Sequence, residues 1–391
     1  MFKITSEDKK ARAGVIKTPH GSFKTPYFIP VATSASVRSL DQKDMKDLKA
    51  EVLLANTFHL HLRPGDDLIK KQCGLHNFMN WEKPIVTDSG GFQAFSLGYG
   101  MEHGVGKILD FFSDEKPQNN NKLATINDQG VTFNSPIDGK KIVLTPKTSM
   151  QIQNNLGADI IFAFDECTSP LSDKKYTKIA LERTHRWAKE SLKHHKNKKQ
   201  ALFGIVQGGA YKDLRVNSAR YINSLDFPGF GIGGSLGKSK DDMKNILNWT
   251  LPLLDKNKPR HLLGIGAIED IFNSVEKGID TFDCVAPTRW GRRGHLYISP
   301  DEKGNRKNKF RMHIKNSRFK EDKKPIDKAC NCYVCKNYSR SYLRHLYTAK
   351  ELTYFRLASY HNMHFLLRLM EKIRTSIKEN SFKKLKRGWL V

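Results

Sequence analysis

No stretch of this chain is apolar for long enough to cross a bilayer, and the opening Met1-Phe2-Lys3-Ile4-Thr5 has no hydrophobic signal region. Neither a membrane anchor nor a secretory leader is expected. Cysteine is also scarce. Six in 391 residues, unevenly spread, cannot form a disulfide framework for a chain of this length, which points to a reducing, cytoplasmic compartment. Acid is in short supply as well: 40 Asp and Glu stand against 67 Lys and Arg, giving a formal net charge of +27 and a pI near 9.7. That excess suits a polyanionic partner, nucleic acid before membrane. There is no internal repeat, and the length suffices for one large core with an additional small module.

What is present is an alternation. Apolar, β-rich segments recur at residues 26–31, 52–56, 84–88, 159–165, 202–207, 229–234, 261–266 and 278–284, with helical patterns between them. Eight such segments predict a (β/α)₈ TIM barrel, although a doubly wound open sheet fits the spacing too. Several end in a polar residue and Gly, or in paired Gly, as at Asp88-Ser89-Gly90-Gly91, Gln207-Gly208-Gly209 and Gly233-Gly234. Barrel enzymes build their sites from such strand ends. Residues 98–130 read as a long insertion loop with one short helix, and 300–328 as a charged, solvated excursion. Residues 366–387 read as one amphipathic basic helix with a Lys-rich tail. The expected division is a barrel over 1–300 and a small zinc-binding module with the basic helix over 301–391.

Three carboxylates, Asp88, Asp165 and Asp283, each end a candidate strand, so a barrel gathers them at one rim. Behind Asp283 come Pro287, Gly291 and the guanidinium groups of Arg289, Arg292 and Arg293, which suit phosphates or base edges. A lone strand-end Asp commonly caps a loop. Two carboxylates flanking a sugar carbon are what retaining chemistry at an anomeric centre uses. A third beside Gln207 and paired glycines could read a nucleobase edge. Separately, Cys330-Asn331-Cys332-Tyr333-Val334-Cys335 offers three thiolates to one ion, with His345, His361 and His364 as candidate fourth ligands. A closed set of that kind is structural rather than catalytic. Cys73, Cys167 and Cys284 read as small buried residues.

These motifs resemble the tRNA-guanine transglycosylases, or queuine tRNA-ribosyltransferases, of bacterial type. The resemblance runs through Leu54-Ala55-Asn56-Thr57-Phe58-His59-Leu60, Thr87-Asp88-Ser89-Gly90-Gly91-Phe92-Gln93, Ala163-Phe164-Asp165-Glu166-Cys167-Thr168, Gly204-Ile205-Val206-Gln207-Gly208-Gly209 and the cysteine cluster. It implies a zinc-containing barrel that exchanges guanine at wobble position 34 of GUN-anticodon tRNAs for a 7-deazaguanine. The same resemblance implies Asp283 as nucleophile at C1′ of the ribose, through a covalent intermediate, and Asp88 as general acid/base. Ser89, Gly90, Gly91, Phe92, Asp165, Gln207, Gly234 and Leu263 would bind the base. The segment Gly264, Ile265, Gly266, Ala267, Ile268, Glu269 and Asp270 would hold the tRNA anticodon loop, together with Thr288, Arg289, Trp290, Gly291 and Arg292. One Zn2+ would sit on Cys330, Cys332, Cys335 and His361. A homodimer with the zinc module near its interface is implied as well, where Tyr338, Tyr342 and His345 share one face.

The match departs after Gly234, where Ser235-Leu236-Gly237-Lys238-Ser239 is one residue shorter than the bacterial pattern. Leu236 in the pocket would favour the small aminomethyl base preQ1, and Gly237 would admit queuine. Cys167 follows the bacterial form. Two other functions fit parts of the pattern: a non-catalytic tRNA-binding subunit of the same fold, and a deazaguanine transferase for another nucleic-acid site. Retention of both Asp88 and Asp283 speaks against the first, and the Thr288 to Arg292 segment against the second.

Overall fold

The computed structural model describes residues 1–92, 124–234, 236–237 and 239–390. The chain opens with an antiparallel sheet of β1 (Phe2–Asp8), β2 (Ala11–Thr18) and β3 (Gly21–Thr25). The barrel follows. Its strands are β4 (Tyr27–Ile29), β5 (Val31–Ala32), β6 (Leu53–Ala55) and β7 (Ile85–Thr87). A second antiparallel sheet, β8 (Ala124–Ile126), β9 (Val131–Asn134) and β10 (Lys141–Leu144), interrupts the alternation. The barrel resumes with β11 (Ile160–Phe162), β12 (Ala201–Val206), β13 (Phe230–Ile232), β14 (Arg260–Leu262) and β15 (Thr281–Asp283).

These nine strands pair in parallel in the order β4-β15-β14-β13-β12-β11-β7-β6-β5. Because β4 and β5 are consecutive in the chain, the sheet closes on itself, and the open-sheet alternative is excluded. Pro30 divides the first strand: it has no N–H to donate, and the chain switches partners there. Tyr27–Ile29 pairs with β15 and Val31–Ala32 with β6, while the Pro30 carbonyl still accepts from the Leu54 amide at 2.9 Å. The eight predicted segments are therefore all barrel strands.

Local chemistry sets the helices. Helix Pro146–Leu156 starts at a reciprocal Thr145–Thr148 capping box with Pro at its first turn, and stops at Gly157 in left-handed conformation. Helices Lys174–His194, Lys212–Ser224, Lys240–Thr250 and Ile268–Val275 return the chain between β11 and β15. Inside the barrel, Phe162 and Phe203 meet edge-to-face at 5.6 Å.

Beyond the barrel, β16 (His295–Tyr297) pairs with β17 (Arg311–His313). Helices Tyr333–Asn337, Arg340–Thr348, Leu352–Lys378 and Phe382–Leu390 follow. The long Leu352–Lys378 helix packs on β1, β2, β4 and helix Ala286–Arg292, which ties the C-terminal part to the barrel. No described helix is long and apolar enough to cross a membrane.

Four expectations need correction. Within the 98–130 insertion, the described part carries strand β8 rather than only loop and helix, because Ala124 to Ile126 pairs with β9; residues 98–123 lie outside the described residues. The 300–328 stretch is not merely solvated: it contributes β17 and buries Phe310, Ile314, Phe319 and Ile326. The single helix over 366–387 is two. Asn380 takes φ +52°, the first helix ends, and the chain turns so that Phe382 and Trp389 pack on Phe272. Finally, Cys167 and Cys284 are buried but Cys73 is exposed, next to the Gln72 that closes a short helix.

Candidate active site and metal centre

Parallel strands place all their C-terminal ends on one side, and that side receives Asp88, Asp165, Gln207, Gly234, Leu263 and Asp283. Asp88 follows β7. Its Oδ1 accepts from the Thr57 amide at 2.8 Å and its Oδ2 from the Asn56 side-chain amide, while the Thr57 hydroxyl donates to the Asp88 carbonyl. Asn56 caps, and Thr57 opens, the helix that directly follows β6, so the end of the neighbouring strand aims this carboxylate.

Asp165, nearly fully buried, lies at the centre of a polar floor. Ser89 Oγ donates to its Oδ1 at 2.6 Å, and Gln207 Nε2 donates to its Oδ2 at 2.6 Å. Ser89 Oγ in turn accepts from the Gly91 amide at 3.0 Å. A carboxylate only accepts, so Gln207 must turn its amide nitrogen to Asp165 and its Oε1 away. That Oε1 is buried without a hydrogen-bond partner among the described residues.

Two glycines are sterically required. A Cβ on Gly91 would come within 2.2 Å of the Asp165 carbonyl oxygen, and one on Gly234 within 1.9 Å of Gln207 Oε1. Gly234 also has φ +77°. Below the floor, the buried Arg215 guanidinium donates to the carbonyls of Val206, Gly209 and Gly233 at 2.7–3.0 Å, binding two strand ends together. Burial pushes its pKa down to about 9. Phe92 and Leu263 are half-buried at the same rim; Gln93, Ser235 and Lys238 lie outside the described residues.

Asp283 ends β15. Its Oδ1 accepts from the Gly264 amide at 2.7 Å and from His261 Nε2 at 3.0 Å. Beyond it, helix Ala286–Arg292 carries Thr288 and Gly291 buried and Arg289, Trp290 and Arg292 half-buried. Burial, then Arg38, Arg289 and Arg293, pushes the Arg292 pKa down to about 10. Its Nη1 is buried without a hydrogen-bond partner among the described residues. In the 264–270 segment, Ile265, Gly266, Ile268 and Asp270 are buried, Gly264 and Ala267 half-buried, and Glu269 is paired with Lys240 at 2.6 Å and Arg306 at 2.5 Å.

At the other centre, His361 Nδ1 lies 3.5 Å from Cys332 Sγ, 3.4 Å from Cys335 Sγ and 4.0 Å from Cys330 Sγ. Zinc bonds of about 2.3 Å to sulfur and about 2.0 Å to nitrogen, at tetrahedral angles, place S and N about 3.5 Å apart. The four groups therefore fit one metal ion. His361 Nε2 donates to the Tyr297 carbonyl at 2.8 Å, which turns Nδ1 inward as a lone-pair donor. His364 approaches Cys330 alone, at 3.5 Å, and His345 is outside the group.

Three supporting roles escaped the sequence: Asn56 and Thr57 on Asp88, Arg215 under the floor, and His261 on Asp283. His261 left a trace as a polar residue within an apolar strand pattern, and Asn56 and Thr57 lay within the 54–60 motif, though without a role; Arg215 left none.

Comparison with known proteins is consistent with this arrangement. The family model described as queuine tRNA-ribosyltransferase matches residues 7–391. A protein of Archaeoglobus fulgidus, whose given name places it in the same family, is 63% identical over 398 residues, covering 100% of this chain and 98% of its own. The queuine tRNA-ribosyltransferases of Halothermothrix orenii and Fusobacterium nucleatum are 47% and 45% identical, covering 95% and 100% of this chain and 91% and 97% of theirs. With the strand-end rim, the Cys3His group and a match over nearly the whole length all in agreement, the chain belongs to the queuine tRNA-ribosyltransferase family.

Proposed function

We propose that this protein is a tRNA-guanine transglycosylase, exchanging guanine at wobble position 34 of GUN-anticodon tRNAs for a 7-deazaguanine in queuosine modification. The observation that carries the reading is the shared rim: Asp88 and Asp283 stand at strand ends on either side of the Asp165–Ser89–Gln207 floor. Asp283 attacks C1′ of the ribose; the C1′–N9 bond breaks and its electron pair leaves on guanine, which takes a proton from Asp88. The incoming base then attacks C1′, gives its proton to Asp88, and displaces Asp283. Asp165, Gln207 and the Gly234 backbone bind the base edge, with Phe92 and Leu263 on its faces. A base must leave its stack to reach such a floor, so a loop is the substrate. Arg289, Arg292 and the 264–270 segment hold that anticodon loop, and the net charge of +27 supports phosphate binding.

Cys330, Cys332, Cys335 and His361 hold one Zn2+, which closes the module over 301–391 against the barrel over 1–300. The exposed Tyr342 and His345, with Tyr338 stacked on Tyr342 at 5.5 Å, support a homodimer contact beside it. The compartment is cytoplasmic. For the incoming base we favour preQ1, because Cys167 follows the bacterial form. The test is transfer of labelled preQ1, and separately of queuine, into unmodified GUN tRNA. Transfer of preQ1 alone is expected. Transfer of queuine would reverse the base assignment, and transfer of neither, with tRNA still bound, would leave a binding subunit.

A further inference from the structure

His261 has no place in the reading above, yet it is buried directly against Asp283. It stands on β14 opposite Thr281 of β15, and its side chain is 2% exposed. Thr281 and Asp283 are two apart on one strand and so face the same side. His261 spans them: Nδ1 is 2.9 Å from Thr281 Oγ1, and Nε2 is 3.0 Å from Asp283 Oδ1. The ring leans on Phe162, with centroids 5.3 Å apart.

The direction of these bonds follows from the acceptor. An ionised carboxylate only accepts, so Nε2 carries the hydrogen. In a neutral ring Nδ1 is then an acceptor, and the Thr281 hydroxyl donates to it. A single chain of donors runs from Thr281 through His261 to Oδ1, where the Gly264 amide joins at 2.7 Å. The terminal torsion of an Asp is intrinsically broad, and these two donors on one oxygen restrict the plane of this carboxylate.

We propose that His261 is a positioning residue for the transfer, holding the Asp283 carboxylate in its attacking orientation and favouring its departure in the second displacement. This rests on Asp283 as the nucleophile. While Asp283 is esterified to C1′ its carboxyl group is neutral, and the Nε2–H bond to it is weak. When the incoming base forms its bond to C1′, the pair of the C1′–O bond returns to the carboxylate. A hydrogen bond to a charged acceptor is stronger than one to a neutral acceptor. His261 therefore stabilises the departing carboxylate more than the ester, and speeds resolution of the adduct.

The test is His261→Phe in the full-length, zinc-loaded enzyme with unmodified tRNA and labelled preQ1. Loss of a hydrogen bond to a charged group predicts kcat lower by about 10- to 100-fold. KM for tRNA should stay within about threefold of the parent, because this contact is not to tRNA. The denaturant-stable tRNA–enzyme adduct should form a larger fraction of the enzyme at steady state. His261→Gln, which places an amide N–H near the Nε2 position, should recover most of the rate. A merely structural role would not raise the adduct fraction. Should His261→Phe fail to fold, Thr281→Val keeps the ring and removes only its hydroxyl donor, and a smaller shift in the same direction is expected. Wild-type kcat and adduct fraction in His261→Phe, or in Thr281→Val where the Phe variant does not fold, would overturn the proposal. The parallel Asp283→Asn variant separates the two failures. An adduct in that variant would remove the nucleophile itself, whereas no adduct there with an unaffected His261→Phe would remove only the role of His261.

Discussion

The metal cluster and the strand-end rim each use a handful of side chains, but the chain assembles them over very different distances. Three of the four candidate metal ligands lie within residues 330–335, and one helix supplies the fourth. The rim draws Asp88, Asp165, Gln207, Gly234 and Asp283 from five strands. A local cluster shows itself by spacing; a distributed one exists only once the barrel has closed. A second contrast sharpens the first. His20, His76 and Asp159 also form a group of metal-ligand types, near the start of β11. There the distances are 2.8 and 3.1 Å, and Asp159 additionally accepts from the His20 and Ile85 amides. Those are hydrogen-bond lengths to a saturated carboxylate, shorter than the 3.4–3.5 Å between His361 Nδ1 and its two nearer thiolates.

If the rim is the reactive region and the cluster the structural one, damage to each should appear in different measurements. Asp283→Asn should lower exchange by about 10⁴-fold and abolish the covalent adduct while the melting curve stays in place. Wild-type exchange rates would show that the rim works otherwise. His361→Ala should do the reverse, removing zinc and more than about 4 kcal/mol of stability. Zinc content and thermal unfolding check it, and a full zinc load with an unchanged melt would refute the ligand set.

Gly234→Ala tests the floor. The new Cβ must push Gln207 from Asp165, and a buried hydrogen bond broken in this way costs about 1–3 kcal/mol. The expected readout is a rise of about 10-fold or more in KM for the incoming base with tRNA affinity unchanged. An unaltered KM would place the base elsewhere. The smallest effect belongs to Arg292→Ala, which removes one guanidinium group from the helix beyond Asp283. Binding of tRNA should weaken by about 10-fold, with the salt slope smaller by about one. A slope identical to the parent's would take Arg292 out of the tRNA interface.

Much of this was legible beforehand for reasons that can be named. Eight apolar segments, several of them with polar-Gly ends, marked the barrel strands, because a buried parallel strand is apolar throughout and must stop where the rim begins. The Cys cluster was legible because tetrahedral ligation by a tight turn demands short spacing. Other features were hidden. The 300–328 charge run masked the buried Phe310 and Phe319, since alternating exposed Lys dominates composition while single aromatic residues do the packing. The helix break at Asn380 was invisible because a lone Asn tolerates both helical and left-handed backbone.

The sequence by itself determined the barrel strands, the cysteine-rich turn, the basic character and the identity of the strand-end carboxylates, all of which follow from short-range periodicity and side-chain chemistry. Only the tertiary structure decided which strand ends are neighbours. The pairing of β14 with β15 is what puts His261 against Asp283. Barrel closure across Pro30 brings the two ends of the sheet together, and Arg215 reaches its three carbonyls because β12 and β13 lie side by side. Those contacts depend on which backbone amides meet across the sheet, and no residue carries that information alone.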